Sequence, residues 1–330
     1  MRGVKLLGMA VTLVLYSMIT GPHARVGFAQ SDCAVLVQSG QSIQHAINNA
    51  AAGAVICLSP STFKETIKID KSLTLRGAGR EDTTIKTEVS VLAVILIESD
   101  SDIEVKIMDL AITGFEQTNG IYVSGDGHAT VTLSNLSISG NGSDGLSVNN
   151  FAQVNLVDSQ ISKNGADGVF LYEKTARVSI DNSQISDNLF WGLVVGGASQ
   201  VSFINSVIAS NRLGGLVMGD SANAQVQASI IKDNGIGYPC SQRDYSCNGI
   251  EIEGQAHLKM TNSTIKGSAD WGIAALLRRC GYSSDYFIGQ VIFQGTNKIS
   301  DNNNMGKQDG KGNPGNHPFQ NLLDGQVCLP

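Results

Sequence analysis

The chain is short of basic residues, histidine, aromatics and long apolar runs. Lys and Arg number 23 against 29 Asp and Glu, a formal charge of −6. That balance argues against a nucleic-acid partner, because binding phosphates depends on Lys and Arg. It also disfavours a polyanionic ligand unless a local basic patch overrides the global field. The five histidines are scattered and no cysteine pair has metal-ligand spacing with a histidine, so no metal centre is expected. Beyond the N-terminus no segment approaches the roughly 20 apolar residues of a membrane span. Aromatics are only 6% of the chain, which suits a narrow interior of stacked aliphatic side chains.

What is present begins with an export segment. Arg2 and Lys5 precede an apolar run from Leu6 to Ile19, and Gly27 and Ala29 fit the small-residue rule for signal peptidase. The expectation is a signal peptide over 1–29, with Ala24 as the alternative cleavage point. Cleavage removes Arg2, Lys5 and Arg25 and no acid, moving the formal charge from −6 to −9. The mature chain is expected to be secreted, extracellular or periplasmic, with no membrane span. Roughly 300 residues remain, enough for one large core. Six cysteines in an exported chain read as three disulfides. Proximity suggests Cys33–Cys57, Cys240–Cys247 and Cys280–Cys328.

The strongest signal is a repeat. Gly120-Ile-Tyr-Val, Gly145-Leu-Ser-Val, Gly168-Val-Phe-Leu, Gly192-Leu-Val-Val, Gly215-Leu-Val-Met, Gly249-Ile-Glu-Ile and Gly272-Ile-Ala-Ala recur at spacings of 25, 23, 24, 23, 34 and 23. A second phrase, beginning at Val131, Val154, Val178 and Val201, keeps step with it. A fixed period in the low twenties marks a solenoid. Each unit holds three short runs of alternating apolar and polar residues separated by Gly, Asn, Asp and Ser, which predicts strands. The fold class is therefore all-β: a right-handed parallel β-helix of about 9–10 coils over 30–302. Ile121, Leu146, Val169, Leu193 and Leu216 should form one inward stack.

Two asparagine-rich columns follow from the register. Asn135, Asp158, Asn182, Asn205 and Asn262 fall in one turn; Asn141, Asn164, Asn188, Asn211 and Asn234 fall in the turn before the glycine strand. Both are read as structural, because Asn tolerates left-handed backbone and stacked amides can hydrogen-bond along the axis. Residues 42–51 carry apolar side chains at helical spacing and are expected to form an N-terminal capping helix. Residues 303–330 are expected to be an irregular tail held by Cys328.

Residues 42–86 carry a resemblance. Ser42-Ile-Gln-His-Ala-Ile, Val55-Ile-Cys-Leu-Ser-Pro-Ser-Thr-Phe and Leu73-Thr-Leu-Arg-Gly-Ala-Gly-Arg resemble the opening of the pectin lyase-like superfamily. The later repeats resemble its carbohydrate-binding and sugar-hydrolase type. The resemblance covers nearly the whole mature chain and implies the fold and a carbohydrate ligand. The catalytic motifs of pectinesterases, polygalacturonases and alginate epimerases do not occur, so no catalytic residue is carried over.

One irregularity points to a site. The 34-residue spacing before Gly249 holds an insertion at about 236–248 that includes Arg243 and Tyr245, and long insertions in a solenoid mark a binding face. Glu251 is the only charged residue in its outward column, with Glu253 two positions on and Asp220 one coil away. Close carboxylates can serve acid–base chemistry or share a cation such as Ca2+. Arg243, Arg278 and Tyr245 are candidate ligand contacts, and Trp191 and Trp271 candidate stacking platforms for sugar rings. The bland alternatives are a solvated acidic face with ordinary surface ion pairs, and tryptophans that only cover turn backbone. Three functions follow: a secreted binder of a polysaccharide or cell-surface glycan, a polysaccharide lyase, hydrolase or epimerase acting through Glu251, Glu253 and Asp220, or an interaction solenoid using the outward column of Phe170, Val194 and Val217.

Overall fold

The computed structural model describes residues 33–125, 127–172, 174–236, 247–302 and 326–329. The expected signal peptide, most of the inserted segment and residues 303–325 lie outside them. Among the described residues every named strand pair is parallel, arranged as a ten-stranded and a nineteen-stranded sheet. Each coil places one strand in the smaller sheet and a bent pair in the larger, as in Leu146–Asn149, Gln153–Val157 and Gln160–Ser162.

The coil follows from period-2 alternation. Ile95, Ile121, Leu146, Val169, Leu193, Leu216, Ile250, Ile273 and Val327 lie in register, and all are essentially fully buried. Burying each such aliphatic side chain contributes about 1.5–3 kcal/mol. The helix Ile43–Asn49 lies against the first strands, with Ile43, Ala46 and Ile47 buried and Ser42 accepting from His45 N at its start. The C-terminal segment differs from expectation: Val327–Cys328 pairs with Ile273–Ala274 as the last strand of the ten-stranded sheet. Cys33–Cys57 and Cys280–Cys328 are bonded, each with Cα atoms 5.7 Å apart. Cys247 is also disulfide-bonded, but Cys240 lies outside the described residues.

The two asparagine columns have different causes. In the first, Asn135, Asp158, Asn182, Asn205 and Asn262 take φ between 47° and 51°, so the left-handed bend of the larger sheet selects them. In the second, the left-handed residue is the one before each asparagine (Gly140, Lys163, Asp187, Ser210 and Asp233). The asparagines themselves are buried and form a ladder. Asn141 Nδ2 donates to Asn164 Oδ1 at 2.9 Å, Asn164 to Asn188 at 2.9 Å, Asn188 to Asn211 at 2.9 Å and Asn211 to Asn234 at 3.0 Å. Backbone conformation thus does not explain the second column; buried amide pairing does. A serine ladder runs beside the first, with Ser159, Ser183, Ser206, Ser229 and Ser263 accepting from the N–H of the preceding coil at 3.0–3.1 Å.

The repeated glycines are set by space, since none of the seven has a positive φ. A Cβ at Gly192 would meet Asn211 Nδ2 at 2.7 Å and Gly215 O at 2.8 Å, as well as the Ile208 side chain. The glycine strand therefore closes directly onto the amide ladder.

Candidate functional site

The outward face of the ten-stranded sheet carries Leu96, Tyr122, Ser147, Phe170, Val194, Val217, Glu251 and Ala274 in register. Phe170, Val194 and Val217 are half-buried. Glycines on neighbouring coils let aromatic rings lie down on this face. Any side chain at Gly214 would run into the Trp191 indole, and any at Gly196 into the Tyr172 ring. Tyr172 also stacks with Phe170, centroids 5.9 Å apart at 26°. Trp191 is half-buried, so part of its indole remains available as a platform. Trp271 does not: it is buried with Ala274, Cys280 and Cys328, and its Nε1 donates to Cys280 O at 3.3 Å. The disulfide-tied end of the chain covers it, which corrects its reading as a stacking platform.

The acidic region is partly as expected. Glu251 points outward but is 9% exposed. Its Oε2 accepts from Tyr282 OH at 2.8 Å and from Asn248 Nδ2 at 2.9 Å. It is therefore not a carboxylate on a solvated face. Burial, then the charge of Glu251, holds the Tyr282 phenol well above its ordinary range. Glu253 is half-buried; burial pushes its carboxyl up, and Glu251 and Asp220 add to the push. Asp220 sits in left-handed backbone at φ 52° and accepts from Gly197 N at 2.9 Å.

Asp220 also lines a cleft of about 290 Å3 with Ser221, Gly254, Gln255, Asp285, Tyr286 and Ile288. Tyr286 and Ile288 are 55% and 78% exposed. They come from a second long connection, 276–289, pinned where Gly254 N donates to Tyr286 O at 2.5 Å and Ile288 N to Gly254 O at 2.8 Å. Arg278 is engaged on its own turn, its N donating to Asp285 Oδ1 at 2.9 Å and its Nε 3.7 Å from Asp285 Oδ2. Arg279 donates to Leu329 O. The structure thus brings Asp220 and Glu253 together and places Arg278 on Asp285 rather than on the Glu251 carboxylate. Arg243 and Tyr245 lie outside the described residues. Among the described residues no three His, Cys, Asp or Glu side chains cluster as metal ligands would.

Sequence reading gave no role to Asn248, at the end of the flagged insertion, and missed Tyr282 and Tyr286. The available signal was the spacing of 33 residues from Leu258 to Val291, which are register partners, against the usual 23 or 24. It went unread because no further glycine phrase follows Gly272.

A second acidic pair was also missed. Asp144 Oδ1 accepts from Asp167 N at 3.0 Å, and Asp167 Oδ1 from Trp191 N at 2.7 Å. Burial, with a smaller push from the charge of Asp144, raises the Asp167 carboxyl to about 7. The folded protein therefore holds a proton that an unfolded Asp, near 3.8, has lost. This stability is fully present below about pH 4 and lost as pH rises through about 7. Asp167→Asn keeps the acceptor for Trp191 N without the charge, as Asn119 and Asn248 do for Asp144 and Trp271. It is expected to melt higher than the wild type at pH 8, by about 2 kcal/mol of stability, and the gain should vanish near pH 4. Thermal melts across that range check this, and a gain of equal size at both ends would refute the titration.

The right handed beta helix region family matches this chain over residues 119–285. No curated protein matches by sequence. Among solved structures, pectate lyase Pel9A superposes with a TM-score of 0.55 at 15% identity, covering 82% of this chain and 78% of its own. The A-module of Azotobacter vinelandii mannuronan C-5 epimerase AlgE4 gives 0.46 at 15% identity, covering 78% and 90%. The family match spans half of the chain, and the coil, its two sheets and its ladders agree with it: the protein belongs to the right-handed β-helix family.

Proposed function

We propose that the protein binds a polysaccharide in the cleft between Asp220 and Tyr286 and along the adjoining outer face of the ten-stranded sheet. The observation that carries this is the exposed Tyr286 ring set beside Asp220, Gln255 and Asp285. A ring face with carboxylates and an amide at its rim offers apolar contact to a sugar's C–H face and hydrogen bonds to its hydroxyls. Trp191, Tyr172 and Phe170 extend the apolar surface along the axis. Likeness in fold to a pectate lyase is compatible with a polysaccharide ligand.

The test is a glycan array followed by titration of the strongest hit. Tyr286→Ala is expected to weaken binding at least tenfold, about 1.4 kcal/mol, while leaving the melting temperature unchanged because the side chain packs against little. A silent array, or full affinity in Tyr286→Ala, removes the reading. A second reading is favoured by the raised Glu253 carboxyl, which could move a proton at a glycosidic linkage. Release of reducing ends or unsaturated products by the wild-type protein would select it over simple binding.

A further inference from the structure

The outer face of the larger sheet is of a different character from the cleft. Gln153, Arg177, Gln200 and Asn223 lie in one register file, and Asn155, Ser179, Ser202 and Gln225 in the next. They line a groove of about 320 Å3 running across four coils. Between them the inward positions Val154, Val178, Val201 and Ala224 are buried, so the alternation fixes every second side chain outward. Arg177 is the one charge among the eight. Along the two files the next charges are Glu104 and Lys106, ion-paired at 2.7 Å, on one side and Lys259 on the other. Among the described residues the side chains of Gln153, Asn155, Gln200 and Gln225 make no hydrogen bond within the protein, and all four are exposed.

From this we infer that the larger sheet carries a second glycan site, selective for an extended neutral polysaccharide lying along the solenoid axis. Each free amide offers two donors and an acceptor, which match vicinal hydroxyls. Successive coils lie about 4.8 Å apart, close to the advance of one extended pyranose unit, so equivalent groups meet equivalent hydroxyls coil after coil. A uronate polymer would need several cations, and the groove supplies one. The site shares no residue with the Asp220–Tyr286 cleft and does not depend on it.

The experiment is titration of the full chain with cellohexaose and with mannohexaose, for the wild type, Gln200→Ala/Gln225→Ala and Tyr286→Ala. At least one hexasaccharide should bind the wild type, lose tenfold or more in the double variant and keep its affinity in Tyr286→Ala. The two alanines are on exposed positions, and an unchanged melting curve shows that the coil is intact. Failure of both hexasaccharides to bind the wild type overturns the inference. So does binding lost in Tyr286→Ala but kept in the double variant, an outcome that leaves the cleft reading standing.

Discussion

Asn188→Ala should cost about 3–5 kcal/mol, because one amide serves two coils at once. Asn188 Oδ1 accepts from both Asn164 N at 3.1 Å and Asn164 Nδ2 at 2.9 Å, while its own Nδ2 donates to Asn211 Oδ1 at 2.9 Å. Truncation strands the Asn164 N–H, leaves Asn164 Nδ2 only its 3.4 Å bond to Ile138 O and removes a donor from Asn211 Oδ1, in a site that water does not reach, since Asn164, Asn188 and Asn211 are 2%, 1% and 0% exposed. Each stranded buried group costs about 1–3 kcal/mol. Denaturant melts measure the loss. A double variant, Asn164→Ala/Asn188→Ala, should lose less than the sum of the two singles, because the shared bonds break only once. A loss under 1 kcal/mol for Asn188→Ala, or strict additivity, would show that the ladder is decoration.

Gly192→Ala is the companion case and should cost about 3 kcal/mol, the upper part of the range for an overfilled core. The added methyl meets the Ile208 side chain, Asn211 Nδ2 and the carbonyl of Gly215. The isoleucine can turn, but the carbonyl belongs to the next coil and moves only if two coils separate. Gly192→Val should therefore fail to accumulate as folded protein. Gly192→Ala melting within a degree of the wild type would mean that the column is held by something other than room.

These two positions show what was legible in the sequence. The coil period, the inward aliphatic file and both asparagine columns could be read because each coil buries the same positions, so chemistry repeats wherever environment repeats. The reason for the second column could not, since a left-handed asparagine and a laddered one look identical in a string. The candidate site was legible only where it broke the pattern. Glu251 and Asp220 stood out, and the cleft does include Asp220. Tyr286 arrives through a connection with no repeat to measure it against. Trp271 was misread because the segment that buries it, tied by Cys280–Cys328, returns from far along the chain. Asp144 and Asp167 each stand directly before a column glycine and passed as ordinary turn residues.

The amide file also has a direction. In each of its four bonds, from Asn141 to Asn234, the nitrogen of one coil gives to the oxygen of the following coil. Group dipoles that align head to tail sum, as peptide dipoles do along an α-helix. A sheet normally has little such sum because its strand dipoles alternate. The ladder is accordingly polarised along the axis from Asn141 to Asn234, and its electropositive end falls at Asn234, one coil before Glu251 and Glu253.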